Sequence, residues 1–106
     1  MLQAFRARTG EPLGEALAAS TSAEIDAAVQ AAADAFVAWS ASDGTMRAAL
    51  LRAMADALLA DREALVALAD DETALGPVRL NGELDRTAFQ LKRFADMAER
   101  GAAFAV

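Results

Sequence analysis

The sequence contains no cysteine, no histidine and no tyrosine among its 106 residues. Without cysteine the chain cannot form disulfides, thiolate metal sites or a thiol nucleophile. Without histidine it lacks the side chain that most often serves as a general base or a zinc ligand. Any acid–base chemistry of this chain would therefore depend on carboxylates, on Lys92 or on arginines.

An excess of positive charge and a long apolar run are also missing. The formal net charge is −6 and the pI is about 4.5, so no basic field exists to release counterions from a polyphosphate. No apolar run approaches the roughly 20 residues that a membrane span requires, and the N-terminus lacks a charged-then-apolar signal pattern. We expect neither nucleic acid nor a membrane as a partner, and we expect a soluble, cytoplasmic protein.

The length allows one domain, or part of one, with one small core. A chain of this size removes roughly 65% of its unfolded surface from water on folding. Hydrophobic residues make up 56% of the sequence, but about half of them are alanines, which bury little apolar area each. Apart from the leucines, the large apolar side chains are those of Phe5, Phe36, Trp39, Phe89 and Phe94.

Turn residues near the N-terminus predict a short β-hairpin over about residues 3–19. Thr9-Gly10-Glu11-Pro12 separates two short segments in which apolar and charged positions alternate. Thr21 and Glu24 then form a capping box, which starts a helix over about 22–40. Its apolar positions recur every three or four residues and line one face, and we expect Phe36 and Trp39 on that face to pack in a core.

Three further segments have helical patterns. Ser42-Asp43-Gly44-Thr45 is a start signal for a helix over about 44–60. Asp61-Arg62-Glu63 either caps a third helix over about 62–74 or continues the second helix through a kink. Gly76 is an unsuitable left-handed C-cap before a proline, so we expect Pro77 in the first turn of a last helix over about 77–100. The fold class is therefore mostly α, and residues 102–106 are expected to lack a packing partner.

Several polar and glycine positions have structural interpretations. Gly82 lies inside the last helix, where glycine costs about 1 kcal/mol relative to alanine, and we interpret it as a site of close packing. The run Asp70-Asp71-Glu72 points around a helix and cannot face one ion, so we expect a solvated helix end. The cations of the last helix are interpreted as paired along its surface: Arg79 with Glu83, Arg86 with Asp85, and Lys92 with Asp96.

The block from Glu72 to Ala95 carries a family resemblance. It reads E-T-x-L-x-x-x-R-L-x-G-E-x-x-R-T-x-x-Q-L-x-x-F-A. It resembles the N-terminal portion of NAD(P)-dependent aldehyde dehydrogenases, and most of all the subgroup that oxidises ketoglutarate semialdehyde. The motifs T-x-x-E-I-D-x-A-V-x-x-A-x-x-A-F-x-x-W and R-A-x-L-L-R-x-M-A-D-x-L precede it in the same order, so the resemblance covers nearly the whole chain.

The resemblance implies that residues 1–106 are a fragment of an α/β cofactor-binding domain. The thiolate, the glutamate and the NAD or NADP site of such enzymes lie beyond this region, so we expect no catalytic and no cofactor-binding residue in this chain and no turnover by it alone. The implied partners are the remainder of the subunit and further copies in a homo-oligomer. Some members hold a structural monovalent cation near this helix end, and the matching positions here are Glu99 and Leu17.

Two readings from other classes stay open. A free-standing helical module could bury the same apolar stripes by self-association, and a small protein could bind cations through its carboxylates. The apolar faces of the helices would rest on a parallel sheet in a complete domain. Because no such sheet is encoded here, we expect exposed apolar surface.

Overall fold

The computed structural model describes residues 1–101 and contains a two-stranded hairpin followed by four helices, as the sequence predicts. The antiparallel strands are β1 (Leu2–Phe5) and β2 (Pro12–Leu17). The helices are α1 (Ser22–Ser40), α2 (Gly44–Ala60), α3 (Arg62–Thr73) and α4 (Pro77–Arg100). The helix boundaries agree with the predicted ones to within one residue. The expectation for residues 102–106 lies outside the described residues.

Local signals account for where the helices begin and end. The Thr21 hydroxyl accepts from the Glu24 amide at 3.2 Å, and the Glu24 carboxylate accepts from the Thr21 amide at 2.8 Å. Asp43 caps α2 by accepting from the Met46 amide at 2.9 Å. At Asp61 the backbone leaves helical geometry and the side chain forms no capping bond, so α3 is a separate helix.

The three-residue connection between α3 and α4 contains two residues with positive φ. Ala74 takes the left-handed C-cap position at φ 57°, where glycine is the usual residue. Gly76 follows at φ 93° and ψ 146°, a conformation that side chains rarely adopt, and Pro77 is the first residue of α4. The predictions that Gly76 precedes the last helix and that Pro77 lies in its first turn are confirmed.

The core is a close antiparallel contact between α2 and α4. Within residues 1–101 the buried apolar residues are four alanines, two on each helix: Ala48, Ala55, Ala88 and Ala95. Each pair is seven residues apart, so its members lie on one face two turns apart. Because alanine has only a methyl group, the two backbones approach closely along this seam, which we call the alanine seam.

Gly44 is the glycine that packs closely, and the prediction for Gly82 is wrong. A Cβ built at Gly44 would overlap the backbone carbonyl oxygen of Ala98, whereas a Cβ at Gly82 meets no atom within 4 Å. Gly82 lies on an exposed part of α4. Sequence position inside a helix could not distinguish these cases, because the identity of the facing helix decides them.

The hairpin docks on the C-terminal end of α3 through charged groups. Arg8 forms a bidentate pair with Asp70, with both N–O distances at 3.0 Å, and Arg6 pairs with Asp71 at 2.7 Å. The Ala7 amide donates to the Asp71 carbonyl at 2.9 Å. The predicted solvated helix end is therefore wrong for both aspartates. The sequence signal was a pair of arginines facing a pair of aspartates, but their separation of more than 60 residues concealed it.

The chain is more open than a complete domain of its mass. Its radius of gyration is 18.1 Å, against about 13 Å for a compact domain of this length. Its accessible surface is 7826 Å², against roughly 5,600 Å² for a compact monomer of 11 kDa. The helices therefore form an incomplete layer rather than a closed core.

The alanine seam gives a paired prediction for Gly44 and Gly82. Gly44→Ala should lower the free energy of unfolding by about 1–3 kcal/mol, because the added methyl group forces α2 and α4 apart. Gly82→Ala should raise it by about 0.5–1 kcal/mol, because an exposed helical glycine gains helix propensity without a clash. Urea unfolding of both variants measures this, and a Gly44→Ala variant as stable as the wild type would contradict the seam.

Hairpin docking should depend on pH through Asp70. The hydrogen bonds from Arg8 and the Gly76 amide lower the pKa of this carboxyl below its ordinary value. A lowered pKa in the folded state stabilises docking above the unfolded pKa of about 3.9, and the stabilisation is lost as pH falls through the lowered value. The protection factor of the Ala7 amide, which is its intrinsic exchange rate divided by its observed rate, should therefore fall in strong acid.

Asp70→Asn provides the matched control at neutral pH. This variant should expose the Ala7 amide while far-UV circular dichroism shows unchanged helix content, because the alanine seam does not involve Asp70. Protection of the Ala7 amide that persists in the variant would show that the backbone contact docks the hairpin without the ion pair.

Candidate functional site

The predicted cation position at Glu99 is engaged by an arginine. Arg52 of α2 donates to Glu99 Oε2 at 2.6 Å and to Asp96 Oδ1 at 3.0 Å. These two hydrogen bonds raise the pKa of Arg52 above its already high value. Leu17, the other predicted position, ends β2 and is exposed. A monovalent cation would have to share Glu99 with the guanidinium, and the site at Glu99 and Leu17 stays a prediction.

Carboxylates elsewhere in the described part of the chain are spread out. Across residues 1–101 no three carboxylates lie close enough together to hold a metal ion. Asp70, which begins the acidic run, is bound by Arg8 and by the Gly76 amide at 2.9 Å. The run thus connects the hairpin, α3 and the start of α4.

The predicted pairing along α4 is right for one cation and wrong for two. Arg79 pairs with Glu83 at 3.7 Å. Asp85 pairs with Arg62 of α3 rather than with Arg86. Lys92 pairs with Asp56 of α2 at 3.8 Å rather than with Asp96. The partners lie on neighbouring helices, because α2 and α3 bring opposite charges to α4 that the spacing within α4 does not show.

A polar cleft of about 600 Å³ lies between α3 and the start of α4. Its lining includes Arg62, Asp70, Asp71, Pro77 and Asn81. Arg62 donates to the Asn81 side-chain oxygen at 3.1 Å, and the Asn81 amide nitrogen donates to the Pro77 carbonyl at 2.9 Å. Arg62 and Asn81 thus bind each other, and Asp70 and Asp71 bind arginines of the hairpin, so these polar groups of the cleft already have partners.

The most distinctive surface is apolar and belongs to α1 and α2. On α1 every residue is exposed, including Trp39 at 41% and Phe36 at 67% of their full exposure. On α2 a second stripe is exposed beside the alanine seam. We call the two stripes together the apolar surface, and its large members are Ile25, Val29, Phe36, Trp39, Met46, Leu50 and Met54.

This apolar surface confirms one prediction and corrects another. Exposed apolar stripes are what the sequence predicts for helices whose covering sheet is absent. The predicted core packing of Phe36 and Trp39 is wrong, because within residues 1–101 no other element covers α1. Large exposed apolar stripes mark interaction surfaces in soluble proteins, and helices that are apolar on several sides belong to larger cores.

None of the helices in the described range is both long enough and apolar enough to cross a membrane. The two helices that form the apolar surface also carry charged residues, such as Asp34 on α1 and Arg52 on α2. Such amphipathic helices fit burial against another protein layer.

Comparison with known proteins finds matches over nearly the whole chain. The model of the aldehyde dehydrogenase family matches residues 2–105. An α-ketoglutaric semialdehyde dehydrogenase 2 from Azospirillum brasilense is 39% identical over 101 residues, which cover 94% of this chain and 19% of that protein. An α-ketoglutaric semialdehyde dehydrogenase from Acinetobacter baylyi is 33% identical over 100 residues, with the same two shares.

The chain thus spans about one fifth of the length of the curated relatives it matches. The match includes the hairpin, all four helices and the block from Glu72 to Ala95. Because the family match extends over nearly every residue, the chain belongs to the aldehyde dehydrogenase family.

Proposed function

We propose that this chain is the N-terminal structural segment of an enzyme that oxidises an aldehyde to a carboxylic acid with NAD or NADP. Family membership supports the reaction class. The names of the two relatives support α-ketoglutaric semialdehyde as the substrate. The cofactor, the catalytic thiolate and the general base belong, in this proposal, to the remainder of the subunit, and the segment contributes outer helices of the cofactor-binding domain.

The apolar surface is the observation that carries this proposal. A chain that left Ile25, Val29, Phe36 and Trp39 in water would forgo about 25 cal/mol for each Å² of apolar area that a partner could cover. A layer supplied by the rest of the subunit would cover both α1 and α2. The segment then acts by completing the packing of the domain rather than by touching the reacting atoms.

A free-standing self-association module is the second candidate, and the same apolar surface favours it. In that case further copies of the chain would supply the cover. The intact mass of the native polypeptide separates the candidates. A polypeptide about five times heavier than the 11.0 kDa of this chain supports the dehydrogenase, and a native mass of 11.0 kDa supports the module.

Reconstitution tests the dehydrogenase proposal directly. The Azospirillum brasilense relative, truncated by the segment that this chain matches, should show little aldehyde-dependent reduction of NAD or NADP. Adding the 106-residue chain should restore activity, and the chain alone should show none. Restoration should be weaker with Phe36→Ser, which makes the apolar surface more polar, than with Val37→Ser, which changes a neighbouring exposed residue on another side of α1. Equal restoration by both variants would count against docking through this surface.

The isolated chain should bind a hydrophobic dye or self-associate. The expected cause is the apolar surface, so Phe36→Ser should reduce dye fluorescence or oligomer size more than Val37→Ser does. Dye fluorescence and sedimentation velocity measure these effects. A monodisperse monomer that does not increase dye fluorescence would show that the apolar side chains of α1 and α2 are not exposed in solution, which would contradict this prediction.

A further inference from the structure

Arg47 lies where the electrostatics of its own helix would not favour a cation. It is the fourth residue of α2, at the end of the first turn, and that turn contains no acidic residue. The N-terminus of a helix carries partial positive charge, so a cation there is unfavourable unless other groups bind it. Arg47 is also half-buried. Its position is therefore explained by the groups that it contacts outside α2.

The partners of Arg47 belong to the C-terminal end of α1 and to the connection after it. Its Nη2 donates to the Ser40 carbonyl at 3.3 Å and to the Trp39 carbonyl at 3.5 Å, and its Nε donates to Ser42 Oγ at 3.1 Å. The Ser42 hydroxyl donates in turn to the Trp39 carbonyl at 2.6 Å. One guanidinium thus joins α2 to the last two carbonyls of α1, both directly and through Ser42. We call these contacts the Arg47 clamp.

The Arg47 clamp supplies what the end of α1 lacks. The last carbonyls of a helix have no partner within that helix, and its C-terminus carries partial negative charge. The last turn of α1 contains no basic residue of its own. A cation from the next helix therefore supplies both the hydrogen bonds and the positive charge that stabilise this helix end.

Other contacts in the described part of the chain do not fix the direction of α1. Every residue of α1 is exposed, and the remaining side-chain hydrogen bonds of α1 are formed within the helix or with its N-cap. The start of α2, in contrast, is fixed on α4, where Gly44 lies against the Ala98 carbonyl. The Arg47 clamp therefore connects a helix that no other element covers to a point whose position is set by the alanine seam.

The geometry of the clamp requires the planar fork of arginine. A guanidinium presents several N–H donors in fixed directions, so Arg47 reaches two carbonyls and a hydroxyl at once. A lysine ammonium is a compact charge on a flexible stem. Lysine at this position would keep the positive charge near the end of α1 but would lose part of the directional restraint.

We propose that Arg47 is a positioning residue that holds α1 at a fixed angle to α2 before the remainder of the subunit covers the apolar surface. Preorganisation of this kind lowers the entropy cost of docking, because the direction of α1 is already set when the covering layer arrives. The docking step rests on the proposed function, whereas the fixed angle is a property of this chain alone. Arg47 acts through the direction of α1 and contacts no reacting group.

The distance between two spin labels tests the fixed angle. Because the chain has no cysteine of its own, Ala27→Cys on α1 and Ala53→Cys on α2, both at exposed positions, are the only labelling sites. Double electron–electron resonance on labelled chain diluted in excess unlabelled chain measures the distances within one molecule. The wild type should give a narrow distribution. Arg47→Met should broaden it at least two-fold, and Arg47→Lys and Ser42→Ala should give intermediate widths.

The matched control is Arg79→Met, which removes an ion pair with Glu83 on α4 and should leave the width unchanged. Far-UV circular dichroism should show the same helix content in all variants. A wild-type distribution as broad as that of Arg47→Met would overturn the proposal. Loss of helix content in both Arg47→Met and Ser42→Ala would show that the clamp stabilises α1 rather than directs it, and would overturn the proposal as well.

Reconstitution with the truncated Azospirillum brasilense relative tests the docking step. Arg47→Met should raise the chain concentration that gives half-maximal activity at least five-fold and leave the maximal activity unchanged, because the variant weakens docking without altering the reacting groups. An unchanged half-maximal concentration beside a broadened distance distribution would overturn the role in docking. Absence of activity with the wild-type chain would contradict the proposed function instead, and the distance measurement would still decide whether Arg47 fixes the angle.

Discussion

The close approach of α2 and α4 is the constraint on which the rest of the structure depends. Alanines at seven-residue spacing and Gly44 allow the two backbones to pack along the alanine seam. This contact aligns Arg52 with Glu99 and Asp56 with Lys92. It also sets the position of the start of α4, where α3 and then the hairpin are attached. The ion pairs follow from the seam, because pairs this exposed contribute little by themselves.

Because the seam consists of small side chains, the chain buries little of its own apolar surface. A seam of methyl groups removes little apolar area from water, whereas the large side chains of α1 and α2 lie outside it. The amount of apolar surface that a chain encodes and the amount that it buries alone are therefore separate properties. Here the difference between them supports the proposal that the remainder of a longer subunit covers these helices, and the match to one fifth of a relative's length is consistent with that proposal.

Features that depend on neighbours in sequence could be predicted, and features that depend on neighbours in space could not. The capping box at Thr21 and Glu24 and the Gly76-Pro77 start of α4 are local, so helix boundaries were predictable to within a residue. Gly82 and Gly44 are both helical glycines, and only the facing backbone of Ala98 distinguishes them. The apolar surface was predictable because periodicity shows which face is apolar, but periodicity does not show whether that face is covered.

The partners of the charged residues also depend on neighbours in space rather than on neighbours in sequence. Asp85 and Lys92, which looked paired with neighbours within α4, instead form ion pairs with Arg62 of α3 and Asp56 of α2, so these charges hold helices together. The side chains that remain exposed after these contacts have formed are those that can contact other protein. The exposed apolar stripes of α1 and α2 are what is left after the alanine seam has formed. Because the interior contacts use the smallest side chains, the large apolar side chains stay exposed in the described part of the chain, and we propose that the remainder of the subunit covers them.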